Sequence, residues 1–330
     1  MDLHTRYLGL DLGNPIVAGA SPLASEMDKV RQLEEAGVGA IVLHSLFEEQ
    51  IARDQWKEHL DRDLHADSFA EALSYFPEPS EYRLGPEEYL EQVAKVKAAV
   101  SCPVLGSLNG VTGAGWVEYA RLIQQAGADA MELNVYFVAA GAGETGEAIE
   151  SRTLEIVKAV KGAVTIPVAV KLSPFFTSLR HFATRLDDAG ADGLVLFNRF
   201  YQPDIDIERL DVTPTLHLSD RSELLLRLRW LALLSGQVRA SLAASGGVHQ
   251  VEDVVKAVMA GAGAVQVVSE LLQKGPGRAR ELADGLAQWL VEHDYDSLDQ
   301  ARGSMSLQKS PSPQAFERAN YMRVLNSWRA

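Results

Sequence analysis

The residues with chemistry to offer are polar side chains that close short apolar runs: Ser21, His44, Ser45, Asn109, Asn134, Lys171, Asn198, Ser245 and Ser269. Lys171 is the sharpest of them. It lies in Pro-Val-Ala-Val-Lys-Leu, where an ammonium buried among apolar neighbours needs a partner. That partner is a ligand's negative edge or a structural carboxylate. A third use is a Schiff-base amine in a phosphate-binding lyase. Asn134 ends Met-Glu-Leu-Asn and Asn198 ends Val-Leu-Phe-Asn. A carboxamide carries two donors and an acceptor, enough to read the edge of a heterocycle, and it equally suits a strand-end turn. Strand alternation leads us to expect Glu132 on the opposite side, away from the ligand, with a structural ion pair as its other role. His44 is open to three uses: acid–base group, hydrogen-bond donor to a ligand, or structural histidine. Ser245-Gly246-Gly247-Val248 and Val268-Ser269 have the character of a phosphate cradle, since glycine lets backbone N–H groups approach the oxygens. A plain tight turn is the alternative. The spacing of His, Cys, Asp and Glu suits no metal site, and neither a Gly-x-Ser-x-Gly elbow nor a Walker loop is present.

These residues have one origin if the runs they close are barrel strands. Eight runs stand out: Pro15–Ala20, Ala40–Ser45, Pro103–Leu108, Ala130–Val135, Pro167–Leu172, Gly193–Asn198, Ser241–Gly246 and Ala264–Ser269. Most are continuously apolar, as strands covered on both faces must be. Three begin with proline, which a strand tolerates at its first residue. Helical patterns separate them, at Met27–Ala36, Pro86–Val100, Gly115–Ala126, Ser151–Gly162, Leu179–Ala189, Ser222–Ser235 and Val251–Ala260. Four of the junctions into strands repeat an Ala-Gly turn, around Gly37, Gly127, Gly190 and Gly261. Glycine there suits the left-handed residue that ends a helix. Eight strands alternating with helices predict a (β/α)₈ TIM barrel in preference to a doubly wound open sheet. Residues 1–293 form the barrel and residues 294–330 a C-terminal helical extension packing on it. Long connections follow strand two (Leu46 to Gly85) and strand six (Arg199 to Arg221), both at the carboxyl end where barrels build their sites.

The bulk composition narrows the partners. The 330 residues carry 31 basic and 45 acidic side chains, a formal charge of −14, which repels nucleic acid and anionic membranes at long range. Cys102 is the single cysteine and begins strand three, far from the site, so the sequence offers neither an intramolecular disulfide nor iron–sulfur ligands. Met1 to Leu10 lacks the apolar core of a signal peptide, and no apolar run reaches 18 residues. The expectation is a cytoplasmic protein with a small-molecule substrate and with neither nucleic-acid nor membrane partners.

The chain resembles the dihydroorotate dehydrogenase family, and within it the dihydroorotate dehydrogenase-like group. The motifs are Gly13-Asn14-Pro15 with Ala20-Ser21, Glu132-Leu133-Asn134, Val170-Lys171-Leu172, Ser245-Gly246-Gly247-Val248 and Val265-Gln266-Val267-Val268-Ser269, spanning Leu8 to about Gly275. The resemblance implies FMN at the barrel mouth, a hydride passing between flavin and a dihydroorotate- or dihydropyrimidine-like ring, and a place in pyrimidine metabolism. It puts Ala20, Ser21 and Ser45 against the flavin, Lys171 at its N1/O2 edge, and Asn109, Asn134 and Asn198 on flavin and substrate. Gly246, Gly247, Val268 and Ser269 would hold the phosphate. A homodimer is implied in the same way, and the electron acceptor is left open. Three positions depart from the family pattern. Phe137 stands where the family has its Cys or Ser base, Ala139 where it has a second substrate asparagine, and His44 where it has a lysine. Tyr136 and His44 are then the candidate acid–base groups, His44 ahead of Tyr136 because an imidazole exchanges protons at neutral pH. A flavin-binding accessory protein without dihydroorotate turnover is the second reading.

Overall fold

The computed structural model describes residues 1–47, 86–110, 113–135, 139–199, 202–213, 216–316 and 321–327. Phe137, Tyr136 and nearly all of the connection after the second barrel strand lie outside the described residues.

Eight parallel strands close into a barrel: β3 (Ile16–Ala18), β4 (Ala40–Phe47), β5 (Val104–Asn109), β6 (Ala130–Asn134), β7 (Val168–Leu172), β8 (Gly193–Leu196), β11 (Ser241–Ser245) and β12 (Ala264–Val267). They coincide with the eight runs anticipated from sequence, most of them trimmed at their ends, while β4 runs on to Phe47 and β5 to Asn109. Neighbours in sequence are neighbours in space, and β12 returns to pair with β3, so no edge is left open. Helices join successive strands, and Leu33, Trp116, Phe182 and Leu231 seat them on the outer face of the barrel. The repeated junctions work as chain punctuation. Gly37, Gly127, Gly190 and Gly261 all adopt positive φ, which glycine alone adopts without strain. In two junctions the following aspartate ties the next layer together. Asp129 accepts the Val104 N–H at 2.8 Å and pairs with Lys97, and Asp192 accepts the Val168 N–H at 2.7 Å and pairs with Lys161.

Three features go beyond the sequence reading. A hairpin of β1 (Thr5–Tyr7) and β2 (Leu10–Leu12) precedes the barrel and plugs its bottom. Tyr7, Leu8 and Leu12 pack with the lowest inward layer, Val17, Val42, Leu105, Ala130, Ala169, Val195 and Ala243 among them. Helices Ser269–Lys274 and Arg278–Glu292 follow the last strand. The connection after β8 carries a second hairpin, β9 (Asp204–Asp206) with β10 (Asp211–Thr213). Beyond residue 294, Gly303 and Met305 donate to the carbonyls of Val258 and Met259, and Leu307 to that of Ala232, so this segment lies on two barrel helices. Among the described residues, no helix is long and apolar enough to cross a membrane.

Candidate active site

Side chains at alternate positions of a strand share a face. Above the apolar plug, the inward faces therefore turn polar within one or two residues. Ser107 and Glu132 are register partners, as are Asn134 and Lys171, and Ser245 and Gln266. Glu132 and Asn134, two apart, share one face. The expectation that Glu132 points away is corrected here, because an alternation of two sends it inward beside Asn134. Its structural ion pair is present. Lys171 Nζ donates to Glu132 Oε1 at 3.1 Å and to Gln266 Oε1 at 3.2 Å, and Gln266 Nε2 donates to Glu132 Oε2. The three side chains close a ring buried at the top of the core. An ammonium has three protons, so this ring leaves one for a ligand.

A second polar cluster sits beside the ring. Asn134 Nδ2 donates to the hydroxyls of Ser45 and Ser107 at 2.7 Å each, and those hydroxyls lie 2.9 Å apart. Ser45 reaches it because β4 shifts register between Val42 and Ser45, where a bulge re-aims the strand. The same shift decides His44. Its Nδ1 lies 3.2 Å from Ser25 Oγ, and its ring stands edge-on to Tyr89 with centroids 5.2 Å apart. Tyr89 belongs to the helix Pro86–Ala99 and bonds the Ser107 backbone on both sides, donating to its carbonyl and accepting its N–H. These contacts put His44 between strand and helix, while its neighbour Ser45 takes the inward place. Asn109 stands at the end of β5, half-buried and on the same side of the strand as Ser107.

A cavity of about 270 Å³ opens at the carboxyl ends of β3, β7, β8, β11 and β12. Lys171, Gln266, Asn198, Ala20 and Ser21 line it. Ser245, Gly246, Gly247, Val268 and Ser269 line it as well. Gly246 and Gly247 have φ of 91° and 81°. A Cβ on Gly247 would stand 2.4 Å from the Leu224 backbone nitrogen, so only glycine fits the turn. Gly247 donates its N–H to Ser219 Oγ at 3.3 Å, and Ser219 Oγ donates to Ser269 Oγ at 2.8 Å. Ser219 was not singled out from sequence. Neither were Ser107 and Gln266, which period-two spacing from Asn109 and Val268 would have found. Arg199, Glu223 and Arg227 also line the cavity. Burial lowers the Arg227 guanidinium from its ordinary value, and the Glu223 carboxylate opposes that shift. Ala139 is exposed and is not among the residues that line the cavity. Cys102 precedes β5 at the opposite end, where burial and Glu34 push its thiol well up.

The family model for dihydroorotate dehydrogenase matches residues 83–290, well over half of the chain. The chain belongs to the dihydroorotate dehydrogenase family. Membership makes it an oxidoreductase acting on CH–CH groups, in a family of generally flavin-dependent dehydrogenases. The chain is 27% identical to the catalytic subunit of dihydroorotate dehydrogenase B (NAD(+)) of Methanocaldococcus jannaschii, covering 88% of this chain and 94% of that protein. It is 28% identical to the equivalent subunit of Pyrococcus abyssi over 91% of this chain and 98% of that one. A third relative is the NAD-dependent dihydropyrimidine dehydrogenase subunit PreA of Escherichia coli K12, at 23% identity over 92% of this chain and 76% of the relative.

Proposed function

We propose that this family member binds FMN at the barrel mouth and exchanges a hydride between it and a small cyclic substrate, dihydroorotate-like or dihydropyrimidine-like. The observation that carries the reading is a single cavity lined by both a lysine and a two-glycine turn. Bound flavin supplies the two-electron chemistry. The chain's own residues bind and orient it. Backbone N–H groups of Gly246, Gly247 and Val268, with the Ser269 hydroxyl, hold the phosphate. Ala20 and Ser21 lie along the ring. Lys171 offers its remaining N–H to the edge of the ring that gains negative charge, and Glu132 and Gln266 fix its position. Asn134, Asn198, Asn109 and Ser45 read the polar edges of ring and substrate. Tyr136 and His44 are the proposed acid–base groups; Tyr136 lies outside the described residues, and His44 packs against Ser25 and Tyr89.

The ring around Lys171 speaks against the lyase alternative. A Schiff-base lysine attacks through a free nitrogen lone pair, and here the Lys171 nitrogen is engaged as a donor to Glu132 Oε1 at 3.1 Å and to Gln266 Oε1 at 3.2 Å. The accessory-protein alternative draws on Phe137 and Ala139, which supply neither the base nor the amide of the family pattern. Losing a general base costs roughly 10²–10⁴-fold in rate. The test is the visible spectrum of the purified chain, followed by anaerobic addition of dihydroorotate and of dihydropyrimidines. A flavin spectrum that bleaches with one of them is the expected result. A flavin spectrum indifferent to all of them favours the accessory role. A colourless chain that FMN does not reconstitute overturns the proposal.

A further inference from the structure

The mouth cavity is positive inside an acidic protein. Lys171, Arg199 and Arg227 line it, and Glu223 is the one carboxylate among its described lining residues. Lys171 is already matched by Glu132. Glu223 is shared between two guanidinium groups, at 3.4 Å from Arg199 and 3.3 Å from Arg227. Arg199 also feels the Asp220 carboxylate, whereas among the described residues Glu223 is the carboxylate that faces the buried Arg227, and it is shared. Arg227 is held rigidly. Its Nε donates to the Ser245 carbonyl at 2.9 Å and its Nη1 to the Glu223 carbonyl at 2.8 Å. With the bond to the Glu223 side chain, three of its five N–H groups are engaged and two remain. Its Nη2 lies directly behind the glycine turn, where a Cβ on Gly246 would stand 2.9 Å away.

We propose that Arg227 is a side-chain cation of the phosphate subsite, seconded by Arg199, and that it makes this site select a phosphorylated flavin over the same flavin without its phosphate. The inference rests on the flavin reading above. Backbone N–H groups alone offer partial charges, whereas a guanidinium pairs with a phosphate as a full charge and through two N–H groups at once. Glu223 sets the guanidinium in place and competes with the phosphate for it. Arg227 is thus a specificity residue that no motif in the sequence marks: it lies in Leu-Leu-Leu-Arg-Leu-Arg-Trp, in the middle of a helix.

The experiment is a titration of the flavin-depleted full chain with FMN and with riboflavin, read by quenching of flavin fluorescence. Wild type is expected to prefer FMN. Arg227→Gln is expected to lose about 10–100-fold in FMN affinity, the worth of a hydrogen bond to a charged group, with riboflavin affinity unchanged. Glu223→Gln is expected to move the other way, tightening FMN while leaving riboflavin alone. Equal loss of both flavins in Arg227→Gln overturns the proposal, because a merely structural residue moves the two together. No loss of either also overturns it. If Arg227→Gln fails to fold, Glu223→Gln decides: selective tightening of FMN supports the proposal and its absence overturns it. Wild type that binds both flavins equally overturns the phosphate selection and leaves the flavin reading standing. Wild type that binds neither overturns both.

Discussion

At the scale of the residue, the decisive grouping is Glu132, Lys171 and Gln266. A buried ion pair is weak evidence of stabilisation, since desolvation offsets most of the Coulomb gain, but breaking one partner is expensive. Glu132→Gln is therefore expected to cost about 3–5 kcal/mol by leaving an ammonium without its counter-charge. Chemical denaturation measures it. Lys171→Met alone should cost a similar amount, and the double variant should regain most of the loss. Turnover separates the roles: the double variant is stable again but remains unable to support flavin reduction by substrate. Equal activity of the double variant and wild type would remove Lys171 from the site. Lys171 and Asn134 were legible in the sequence because a polar residue closing an apolar run has few reasons to be there. Glu132 was legible as a residue but misread in direction, although a count of two from Asn134 fixes its face.

At the scale of the element, the turn after β11 and the plug under the barrel carry the sharpest expectations. Gly247→Ala combines positive φ with a Cβ 2.4 Å from a backbone nitrogen. It should cost at least about 1–2 kcal/mol and weaken FMN together, checked by thermal melting and flavin titration. The plug makes a different kind of test. Tyr7 is buried, and its hydroxyl finds no hydrogen-bond partner among the described residues. Burial, and then the Glu132 charge, push that hydroxyl's pKa well up. Tyr7→Phe should therefore be neutral or stabilising by about 1 kcal/mol, whereas Tyr7→Ala should cost about 3–5 kcal/mol through the cavity it leaves. A large loss in Tyr7→Phe would show that the hydroxyl has a partner of consequence. The plug escaped the sequence reading because three-residue strands give too short an alternation to register. The bulge in β4 escaped it as well. Its effect is to exchange His44 for Ser45 on the inner face, and sequence spacing alone assigns both to the mouth.

At the scale of the whole molecule, charge governs both stability and the site. Asp253 caps the helix Val251–Ala260 by accepting the His249 and Gln250 N–H groups, and it forks onto Arg221. Burial raises its carboxyl, but Arg221 and the two amides more than offset that and hold it below the ordinary value. Glu270, likewise raised by burial, is brought below its ordinary value by Lys274, Arg278 and His249. Both folded-state values lie under the unfolded ones, which are about 3.9 for Asp and about 4.3 for Glu. Their stabilisation is thus fully present above about pH 4.3 and is lost as pH falls through the lowered folded values. Asp253→Asn should cost about 2 kcal/mol at neutral pH, and its gap to wild type should close below about pH 4. A constant gap down to acid would mean that the side chain acts by shape alone. The sequence by itself determined the barrel, because eight apolar runs and a repeated glycine junction are local patterns that survive without knowledge of neighbours. It determined most of the mouth for the same reason, since a parallel barrel brings the ends of its strands together. Only the tertiary structure decided which face His44 takes, that Glu132 secures Lys171, and that Ser219, Glu223 and Arg227 reach the cradle. Those outcomes depend on a one-residue register shift and on contacts between residues far apart in the chain, and no spacing along the sequence encodes them.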